Sequence, residues 1–443
     1  MPSSRKPPPS AVPQSRLGRL ARIGFAAGEL AVGGAIQGLK RLGQPGKPEA
    51  GSLLTASGAA RLARRLANLR GAAMKLGQLL SLQGTDVLPP EFAQALAILR
   101  AQAAPMPPSQ LRRALGRAYG RGWEARFERF ELEPVAAASI GQVHRARTLD
   151  GRDLALKIQY PGVARSITSD VDNVATLLRM SRILPAELDI GALAAEAKRQ
   201  LLQEADYLAE ARFLERFAAL VRDEPGLEVP RVHADFTTPR VMAMDFVEGL
   251  PLETLAASRL PQAERDRLGA RLERLLFREL FEFRVMQTDP NFANYLVRPG
   301  TGSLVLLDFG ATQEFTPEFS ARFAAITHAI VRGDRGAIAS LARDIGYLAD
   351  DDTPERIEAV VELILLVCEP LRHAGPYDFG ASTLPARVGS LGFELGIRKR
   401  LLRMPPPQTL FLHRKLIGGF LLLARLGARV DARRLVLEVL GGR

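Results

Sequence analysis

Two polar motifs constrain this chain more than any other feature. The first is Thr-Asp-Pro-Asn-Phe-Ala-Asn at residues 288–294, in which Asp289 precedes Asn294 by five positions. The second is Leu-Val-Leu-Leu-Asp-Phe-Gly at residues 304–310, in which an apolar run leads into Asp308. A short apolar run of this kind indicates a buried strand. The pattern therefore predicts a strand that ends at Asp308 and delivers its carboxylate as a metal ligand.

The triplet Asp-Phe-Gly occurs a second time, at residues 378–380, which shows how easily it arises by chance. The second copy follows His-Ala-Gly-Pro-Tyr, a turn-rich stretch with no apolar run in front of it. We expect this copy to lie in a loop and to have no metal role. The first copy gains weight from its partners upstream.

A strand and a loop upstream complete a larger pattern. Residues 153–158 alternate polar and apolar side chains, which predicts a strand, and this strand carries Lys157. Gly141 precedes that lysine by 16 positions. Protein kinases use a glycine-rich loop, a strand lysine, a loop Asp with an Asn five residues on, and a strand ending in Asp-Phe-Gly to hold magnesium and a triphosphate. The chain resembles that pattern in order and spacing.

The phosphate loop departs from the kinase form, Gly-x-Gly-x-x-Gly-x-Val. Aligning Gly141 and Val143 with the last two positions places Ala136 and Ala138 at the first two glycines, with Ser139 beside them. Glycine lets backbone amides approach a phosphate closely and permits positive φ, which alanine does less freely. We therefore expect a stiffer loop that holds the γ-phosphate differently. The alternative for three successive alanines is the start of a helix.

An active kinase also needs a helical glutamate that orients its strand lysine. Three acidic residues on one predicted helical stretch are candidates: Glu204, Asp206 and Glu210. The alternative for each is a solvated surface charge, which is the usual state of acidic residues on helices. Glu210 lies 53 positions beyond Lys157, so we expect an extra element between them.

Two elements of conventional protein kinases are absent from the sequence. Gln287 and Thr288, rather than His-Arg, precede Asp289, so nothing obvious would grip a phosphorylated activation loop. After Gly310 the chain turns helical almost at once, without a long activation segment or an Ala-Pro-Glu motif. These differences argue against a conventional Ser/Thr or Tyr kinase and leave nucleotide binding intact.

Taken together, these residues resemble the UbiB-type atypical kinase family, which supports ubiquinone biosynthesis, and within it the coenzyme Q branch of mitochondria and related bacteria. The similarity covers roughly residues 55–430. It is most specific in four segments, residues 136–144, 157–163, 286–291 and 307–312.

The family carries a signature outside ordinary kinases, Lys-x-Gly-Gln, which matches Lys75 to Gln78. Lys75 and Gln78 are three positions apart, so on a helix they share one face. The resemblance implies that this element folds across the active site and that its lysine faces a Glu-x-Asp motif, here Glu204 and Asp206. Glu210, the remaining acidic candidate, would then pair with the strand lysine. Without the resemblance, Lys75 would be interpreted as a surface lysine.

The resemblance implies an α+β fold, namely an atypical protein-kinase-like two-lobed fold with an N-terminal helical extension over the active site. The 443 residues, 47% of them hydrophobic, are enough for such a core. We expect a basic Pro/Ser-rich tail, a helical extension, a smaller kinase-like lobe and a helical lobe, at residues 1–50, 51–130, 131–249 and 250–443. A hinge at Asp245, Phe246 and Val247 would meet the adenine ring with its backbone.

Basic residues are concentrated at the amino terminus. The chain has a formal net charge of +12, and residues 1–50 contain eight Lys or Arg against two Glu, which gives +6. Such a tail suits an anionic membrane surface. Nucleic acid is the rival partner, which the scarcity of aromatic residues in the tail disfavours. The lack of acids before Glu29 would also fit a mitochondrial presequence, whereas the Arg- and Ala-rich usage throughout favours a bacterium.

No stretch of 18 apolar residues exists in the sequence, so no ordinary transmembrane helix is predicted. Two segments are candidates for membrane contact. Residues 23–39 are glycine-spaced and mildly apolar, with a loosely packed soluble helix as the alternative. Residues 416–423 form an apolar run flanked by Arg414, Lys415 and Arg425, for which we favour a buried helix of the larger lobe.

The sequence thus predicts a magnesium-dependent, ATP-binding atypical kinase or ATPase that supports ubiquinone biosynthesis at a membrane surface and acts on or presents lipid-like quinone precursors. Asp308 and Asn294 would ligate Mg²⁺ with ATP or ADP, because these are oxygen donors. Lys157, held by Glu210, would neutralise phosphate charge, and Asp289 would orient a hydroxyl group or water.

Two alternatives stay open: a protein kinase acting on partner proteins, and a non-catalytic nucleotide-sensing scaffold for quinone-biosynthesis enzymes. The expected partners are ATP, quinone-precursor lipids, an anionic membrane surface and other ubiquinone-biosynthesis proteins, and a homodimer is left open. We expect a peripheral protein on the cytoplasmic face of a bacterial inner membrane, with the matrix face of the mitochondrial inner membrane as the alternative.

Overall fold

The computed structural model describes residues 69–81, 105–181, 189–256, 260–399, 401–403 and 405–441. The described residues form two compact units. Unit 1 comprises the chain up to Ala211 together with Val232–Phe246, and unit 2 comprises Arg212–Arg231 and the chain from Val247 onward. The predicted basic tail and its candidate membrane segment, residues 23–39, lie outside the described residues.

The elements are numbered along the chain. The first are α1 (Arg70–Ser81), α2 (Pro108–Tyr119), a 3₁₀ helix (Trp123–Arg126), β1 (Phe127–Phe130), β2 (Ala136–Ala137), β3 (Gly141–Thr148), β4 (Asp153–Gln159), α3 (Val163–Ser181), α4 (Ile190–Glu204), α5 (Tyr207–Leu220), β5 (Leu227–Glu228), a 3₁₀ helix (Ala234–Phe236) and β6 (Val241–Asp245).

The elements that follow belong to unit 2. They are β7 (Leu250–Pro251), α6 (Leu252–Ala256), α7 (Gln262–Arg278), a π-helical turn (Glu279–Phe283), β8 (Val285–Gln287), a 3₁₀ helix (Phe292–Asn294), β9 (Tyr295–Val297), β10 (Leu304–Leu306), β11 (Thr312–Glu314), α8 (Pro317–Arg332), α9 (Arg335–Ile345), α10 (Pro354–Val367), α11 (Glu369–Arg372), β12 (Tyr377–Asp378), α12 (Leu384–Phe393), a π-helical turn (Glu394–Arg398), α13 (Pro407–Leu426), β13 (Arg429–Val430) and α14 (Ala432–Gly441).

The sheet of unit 1 has five antiparallel strands in the order β1-β3-β4-β6, with β2 also paired to β3. The predicted strand at residues 153–158 is present as β4, and its side chains are buried from Leu154 to Gln159 rather than alternating. Burial is continuous because β4 lies between two paired strands and is covered on both faces. A strand that is buried on both faces does not show the alternation of buried and exposed side chains that is seen when one face is exposed to solvent.

One face of this sheet packs against α2. Proline at the first position of α2 fits the helix start, since its missing N–H would have no intrahelical partner. Leu111 and Leu115 are four positions apart and fully buried, in a cluster with Trp123 and Phe127. Burying side chains of this size contributes about 1.5–3 kcal/mol each relative to exposure. Replacing either leucine with alanine would cost about 2–5 kcal/mol.

Helix α1 also belongs to unit 1, where it packs against α3 and α4. Ala72, Ala73 and Leu76 are buried apolar residues of this helix. Small residues on this helix allow a close approach: a Cβ on Gly71 would lie 3.2 Å from the carbonyl oxygen of Ser139. The helix that carries the Lys-x-Gly-Gln signature is therefore packed directly onto the segment between β2 and β3.

Unit 2 contains a four-stranded sheet, β5-β10-β9-β7, and two smaller pairs, β8 with β11 and β12 with β13. The sequence assigns residues 212–231 to the smaller lobe, whereas the structure groups Arg212–Arg231 with unit 2. The reason is that β5, within this segment, pairs in parallel with β10. The predicted lobe division at residue 249 lies three positions from the change of unit after Phe246.

Helix α13 contains the apolar run at residues 416–423. Leu422 and Leu423 are buried, as the favoured interpretation predicts, whereas Ile417 and Leu421 are 44% and 51% exposed. Within the described ranges, no helix has both the length and the apolar content needed to cross a bilayer.

Candidate functional site

Lys157 forms a buried ion pair with Glu210. Its Nζ donates to Oε1 of Glu210 at 2.6 Å, and the two residues are 7% and 1% exposed. The Nζ also lies 5.4 Å from the ring centroid of Tyr207, which precedes Glu210 by one turn of α5. Of the three acidic candidates, the structure therefore brings Glu210 to the strand lysine. Helices α3 and α4 are the extra element expected between them.

The alanine-rich loop is a β-hairpin. Ala136 and Ala137 form β2 and pair with Val143 and Gln142 of β3, and the Ala138 N–H donates to the Gly141 carbonyl at 2.9 Å. The alternative of a helix start is wrong. These exposed alanines pair with β3 on one side only. Helix propensity is a local property of the sequence and does not reveal this pairing.

Gly141 is required by the close approach of its neighbours rather than by its φ angle. A Cβ at this position would lie 2.4 Å from the Ile158 carbonyl oxygen and 2.9 Å from the Tyr207 hydroxyl oxygen. Any side chain would therefore separate β3 from β4 next to Lys157. This explains why the last position of the loop keeps its glycine when the first two are alanine.

Glu204 joins the Lys-x-Gly-Gln helix to the tip of the hairpin. Its Oε1 accepts from Nζ of Lys75 at 2.5 Å, and its Oε2 accepts from Oγ of Ser139 at 2.7 Å. Lys75 is only 2% exposed, so the surface-lysine interpretation is wrong. The carboxylate at the end of α4 thus holds a helix lysine and a loop serine at once.

Asp206 and Gln78 stand apart from this cluster. Asp206 is exposed and caps α5, since its Oδ1 accepts from the Ala209 N–H at 2.9 Å. Of the predicted Glu-x-Asp pair, the structure therefore gives Lys75 the glutamate and gives the aspartate a capping role. Gln78 lies on α1, but its side chain is outside the described part of the structure.

The predicted hinge begins at the last residue of β6. Asp245 ends the strand, and its Oδ1 lies 2.7 Å from Nε2 of the buried His233. The Phe246 N–H donates to the Asp153 carbonyl at 2.9 Å, and the guanidinium of Arg145 lies 4.2 Å from the ring centroid of Phe246. Val247 is the first residue of unit 2 after this segment, so the division into units falls within the predicted hinge.

In unit 2, Asn294 and Asp308 lie at the same end of two neighbouring strands. Asn294 immediately precedes β9, and Asp308 follows β10 after one intervening residue. The strands are antiparallel with Tyr295 opposite Leu306, and the Leu307 N–H donates to the Asn294 carbonyl at 3.0 Å. Antiparallel pairing of this register brings both side chains to one edge. The sequence alone shows only that the two residues are 14 positions apart.

The donor set at this edge fits magnesium. Carboxylate and amide oxygens are hard ligands, and Mg²⁺ usually takes only one or two protein side chains, together with phosphates and water. The Nδ2 of Asn294 donates to the Asp289 carbonyl at 2.9 Å, which turns the amide nitrogen toward the backbone and leaves the amide oxygen directed elsewhere. Asp308 and Asn294 are both partly exposed, as metal ligands open to a nucleotide need to be.

The backbone around Asp289 is held tightly. Its carbonyl oxygen accepts three hydrogen bonds: from the Asn291 N–H at 2.8 Å, from Nε2 of Gln287 at 2.8 Å and from Nδ2 of Asn294 at 2.9 Å. Such a cluster fixes the peptide that follows Asp289 while its side chain stays partly exposed. The arrangement can orient a nucleophile, because the carboxylate projects from a rigid loop.

The Asp-Phe-Gly turn after β10 is anchored by its phenylalanine. Phe309 is 1% exposed, and its ring centroid lies 4.6 Å from that of Phe217 on α5. The Gly310 N–H donates back to Oδ1 of Asp308 at 2.9 Å. The buried ring fixes the backbone, and the local hydrogen bond orients the carboxylate.

Sequence reasoning gave no role to two buried cations on α13. Arg414 donates through Nε to the Thr288 carbonyl at 2.6 Å, and Lys415 pairs with Glu279 at 2.9 Å. In the sequence both residues stand out only as flanks of an apolar run. No local signal connects them with a loop more than 100 positions earlier, and only the packing of α13 does so.

The chain is similar to known proteins over most of its length. A model of the ABC1 atypical kinase-like domain matches residues 98–342. The mitochondrial atypical kinase COQ8B of Rattus norvegicus is 39% identical over 428 residues, which cover 96% of this chain and 80% of that protein. The mitochondrial atypical kinase COQ8 of Saccharomyces cerevisiae is 37% identical over 435 residues, which cover 97% of this chain and 86% of that protein.

A solved structure of similar fold is Rv3197 of Mycobacterium tuberculosis, determined in complex with erythromycin. Its TM-score is 0.59 at 24% sequence identity, over 86% of this chain and 95% of that one. At this identity the likeness concerns the fold alone. The predicted α+β, kinase-like fold and the predicted relationship to UbiB-type atypical kinases are confirmed, and the chain belongs to the ABC1 atypical kinase-like family.

Proposed function

We propose that this protein is a magnesium-dependent ATPase or small-molecule kinase that supports coenzyme Q biosynthesis. The observation that carries the proposal is the buried ion pair between Lys157 and Glu210. Burying two charges costs several kcal/mol per ion before their attraction is counted, so such a pair is poor as a purely structural device. In kinases the equivalent pair holds the lysine that meets the nucleotide phosphates.

The second part of the proposal is the metal. Asp308 and Asn294 would hold Mg²⁺, with ATP or ADP supplying further oxygen ligands. When bound, the ion neutralises negative charge on the phosphates. Around the nucleotide, the loop residues Ala136, Ala138, Ser139, Gly141 and Val143 would contact phosphates, and the backbone of residues 245–247 would meet the adenine.

Asp289 is proposed to orient the nucleophile. Its carboxylate would accept a hydrogen bond from water or from a hydroxyl group of the substrate and direct the oxygen at the γ-phosphorus. A new P–O bond forms to that oxygen, whose proton passes to the Asp289 carboxylate, while the bond from the γ-phosphorus to the bridging oxygen breaks and ADP leaves. Lys157 would stabilise the charge that develops on the leaving phosphates.

A small acceptor is favoured over a peptide because the segment after Asp-Phe-Gly is short. Only residues 311–316 separate Gly310 from α8. Thr316 caps this helix by accepting from the Phe319 N–H at 3.2 Å, and Pro317 occupies its first position. These caps fix the helix start, so the chain has no length here for a peptide platform.

The cluster of Lys75, Glu204 and Ser139 is proposed to regulate the loop. While Glu204 holds Ser139, the tip of the hairpin is tied to α1. Release of Lys75 would free Glu204 and let the loop adjust to a triphosphate. Gln78 and Asp206 complete the proposed regulatory set from the resemblance rather than from contacts.

The biological setting is carried over from the relatives. COQ8 and COQ8B are named as mitochondrial, which supports the mitochondrial alternative over a bacterial location. The matrix face of the inner membrane is the finer part of the proposal. A peripheral association with anionic lipid, action on lipid-like quinone precursors and contacts with other enzymes of the pathway are parts of the same proposal. The basic amino-terminal residues supply the charge for the first of these.

The test is phosphate release from magnesium-ATP by the purified full chain, with and without anionic liposomes and an alkylphenol as a mimic of a quinone precursor. We expect hydrolysis that these additions stimulate and that Asp308→Asn abolishes. Binding of ATP without turnover under every condition would favour the nucleotide-sensing scaffold. Absence of ATP binding would overturn the whole assignment.

One further arm separates the protein-kinase alternative. Candidate partner proteins are incubated with γ-labelled ATP and with the wild type or Asp289→Asn. Transfer of label to a partner that depends on Asp289 would replace the small-molecule acceptor with a protein acceptor. Label recovered only as inorganic phosphate or on a lipid-like phenol supports the proposal.

A further inference from the structure

The loop that carries Asp289 lacks the arginine that conventional kinases place immediately before their catalytic aspartate. Thr288 occupies that position and is completely buried. In the structure an arginine reaches the same place from a distant helix. Arg414 of α13, 8% exposed, donates through Nε to the Thr288 carbonyl at 2.6 Å and through Nη2 to the Thr288 hydroxyl at 3.2 Å.

Thr288 passes this contact on to the segment after Asp-Phe-Gly. Its N–H and its Oγ1 both donate to the Ala311 carbonyl, at 3.0 Å and 2.7 Å. This agrees with the pairing of β8 with β11, in which Gln287 lies opposite Thr312. A single residue therefore connects Arg414 with both the catalytic loop and the turn that carries Asp308.

The contact fixes a particular peptide. The Thr288 carbonyl belongs to the peptide bond that leads into Asp289, and Arg414 holds it from one side. The carbonyl of Asp289 itself is held by three donors. Both peptides that flank Asp289 are thus fixed, but by different elements: the following one by the loop itself and the preceding one by α13.

Two neighbours of Arg414 seat the same helix on the same loop. Lys415 pairs with Glu279, whose Oε1 accepts from the Gln287 N–H at 3.2 Å. Burial opposes a charge on Lys415, but Glu279 and Tyr295 together outweigh it and raise the pKa of Lys415. A Cβ on Gly418 would lie 1.9 Å from Cγ of Pro290. These contacts place α13 against residues 287–290 with little freedom.

We propose that Arg414 is a positioning residue for the reaction, which supplies from α13 the anchoring that the loop's own sequence lacks and which sets Asp289 relative to Asp308. Arginine suits this role because its planar fork satisfies two acceptors at fixed angles and it always carries its charge. The inference rests on the proposed function, in which Asp289 orients the nucleophile.

Arg414→Lys is the decisive variant, because it keeps the charge and most of the packing but cannot reach both Thr288 acceptors in one plane. We expect kcat for magnesium-ATP hydrolysis to fall about 10- to 100-fold, the effect of displacing a reacting group by about 1 Å. The Kd for magnesium-ATP should stay within about threefold. Arg434→Lys, on an exposed arginine of α14, is the matched control and should change neither quantity.

Thr288→Val provides a second, milder variant, since it removes the hydroxyl group and keeps the shape. In the double variant with Arg414→Lys the two losses should add only in part, because both changes break the bond between Arg414 and the Thr288 hydroxyl, whereas only Thr288→Val also removes the hydroxyl bond to the Ala311 carbonyl. Equal losses of kcat and nucleotide affinity, or losses that follow a fall in Tm, would show that Arg414 only stabilises the fold and would overturn the proposal.

Hydrogen exchange separates this inference from the proposed function. The Thr288 amide donates to the Ala311 carbonyl and the Asn291 amide donates to the Asp289 carbonyl. In Arg414→Lys both amides should exchange faster than in the wild type, whereas in Arg434→Lys they should not. A wild type without ATPase activity would end the proposed function, and exchange would still decide whether Arg414 holds the loop. Unchanged exchange at both amides, with unchanged kcat, would overturn the role of Arg414.

Discussion

The chain contains the triplet Asp-Phe-Gly twice, and the two copies share one feature and differ in another. In both, the phenylalanine is an anchor: Phe309 is 1% exposed and Phe379 is 2% exposed. Phe309 packs on Phe217, and Phe379 lies with its ring centroid 5.1 Å from that of Phe420. The buried ring is thus a property of the triplet in both places and says nothing about metal binding.

The aspartates differ in what surrounds them. Asp378 pairs with the guanidinium of Arg429 at 3.0 Å, and its Oδ1 accepts from the Ala381 N–H at 3.0 Å. That amide, followed by the guanidinium, lowers the pKa of Asp378 below its usual value. Asp308 instead follows a buried strand beside the amide of Asn294. The carboxylate of Asp378 pairs with a protein cation, and the carboxylate of Asp308 lies at the same strand edge as the side-chain amide of Asn294.

The second copy also corrects a detail of the sequence analysis. The sequence predicts a loop there, but Tyr377 and Asp378 form β12, a short strand paired with β13, and only Phe379 and Gly380 of the triplet lie in a turn. The sequence showed no apolar run there because a two-residue strand needs none. The lesson is that the same three residues serve as a metal-ligand candidate or as a structural ion pair according to the partner that the fold places opposite the carboxylate.

The strongest way to break this comparison is to neutralise each aspartate in turn. Asp308→Asn should lower ATPase activity at least about 100-fold, since it removes a charged ligand where phosphate charge must be neutralised. Asp378→Asn, the matched control, should stay within about twofold of the wild type. Phosphate release under saturating ATP measures both, and equal losses would show that the two copies do not differ in function.

Magnesium dependence sharpens the same contrast. ATP binding by the wild type and by Asp378→Asn should tighten by about tenfold or more when Mg²⁺ replaces EDTA, as expected for an ion that bridges ligand and carboxylate. For Asp308→Asn the two Kd values should converge. Calorimetric titration of the nucleotide gives both constants, and tightening that persists in Asp308→Asn would remove that residue from the metal site.

The phenylalanines should behave alike in stability and differently in activity. Phe309→Leu and Phe379→Leu should each cost about 1–2 kcal/mol, because each leaves a buried gap that leucine fills incompletely. Only Phe309→Leu should also lower kcat beyond what the loss of folded protein explains, since its ring orients Asp308. Urea unfolding and kcat per folded molecule are the measurements; a matched fall in kcat for Phe379→Leu would contradict the contrast.

The smallest expected effect comes from breaking the ion pair between Asp378 and Arg429 in the second copy. Both of its side chains are substantially exposed, so Asp378→Asn should destabilise by less than about 1 kcal/mol, and less again in 1 M salt. Because the folded pKa of Asp378 is lowered, its contribution is present above the ordinary value of 3.8 and is lost as the pH falls below it. Urea unfolding at pH 7 and pH 3 should therefore show the difference shrinking at the lower pH, and a difference that grows on acidification would contradict this assignment.

Motif order could predict much of the candidate site. Lys157, Asp289, Asn294 and Asp308 were identified because each stands at a fixed step from a strand or a neighbour, and such steps survive in the linear chain. Their functional roles stay predictions, but the structure does place Lys157 against Glu210 and Asn294 beside Asp308. The resemblance to a family added Lys75 and Glu204, which no local pattern would have joined.

Other features could not be predicted because they depend on packing between distant segments. Nothing in Ser139 indicates a bond to Glu204, and Asp206 looks like its partner in the motif until α5 begins and uses it as a cap. The alanines of β2 have a helical propensity that the ladder of β3 overrides. The partner of a side chain depends on which elements pack together, and the periodicity of the sequence does not predict that packing.

The sequence by itself determined which residues have the chemistry for a magnesium–nucleotide site, in what order, and that a conventional activation segment is missing. These follow from residue type and short spacing, which the chain carries explicitly. Only the tertiary structure decided that Asp378 pairs with an arginine, that Ser139 binds Glu204, and that the guanidinium of Arg414 binds the Thr288 peptide. The physical reason is that charge pairing and hydrogen bonding act over a few ångströms of space, and only the fold brings together atoms that lie 51 to 126 positions apart in sequence.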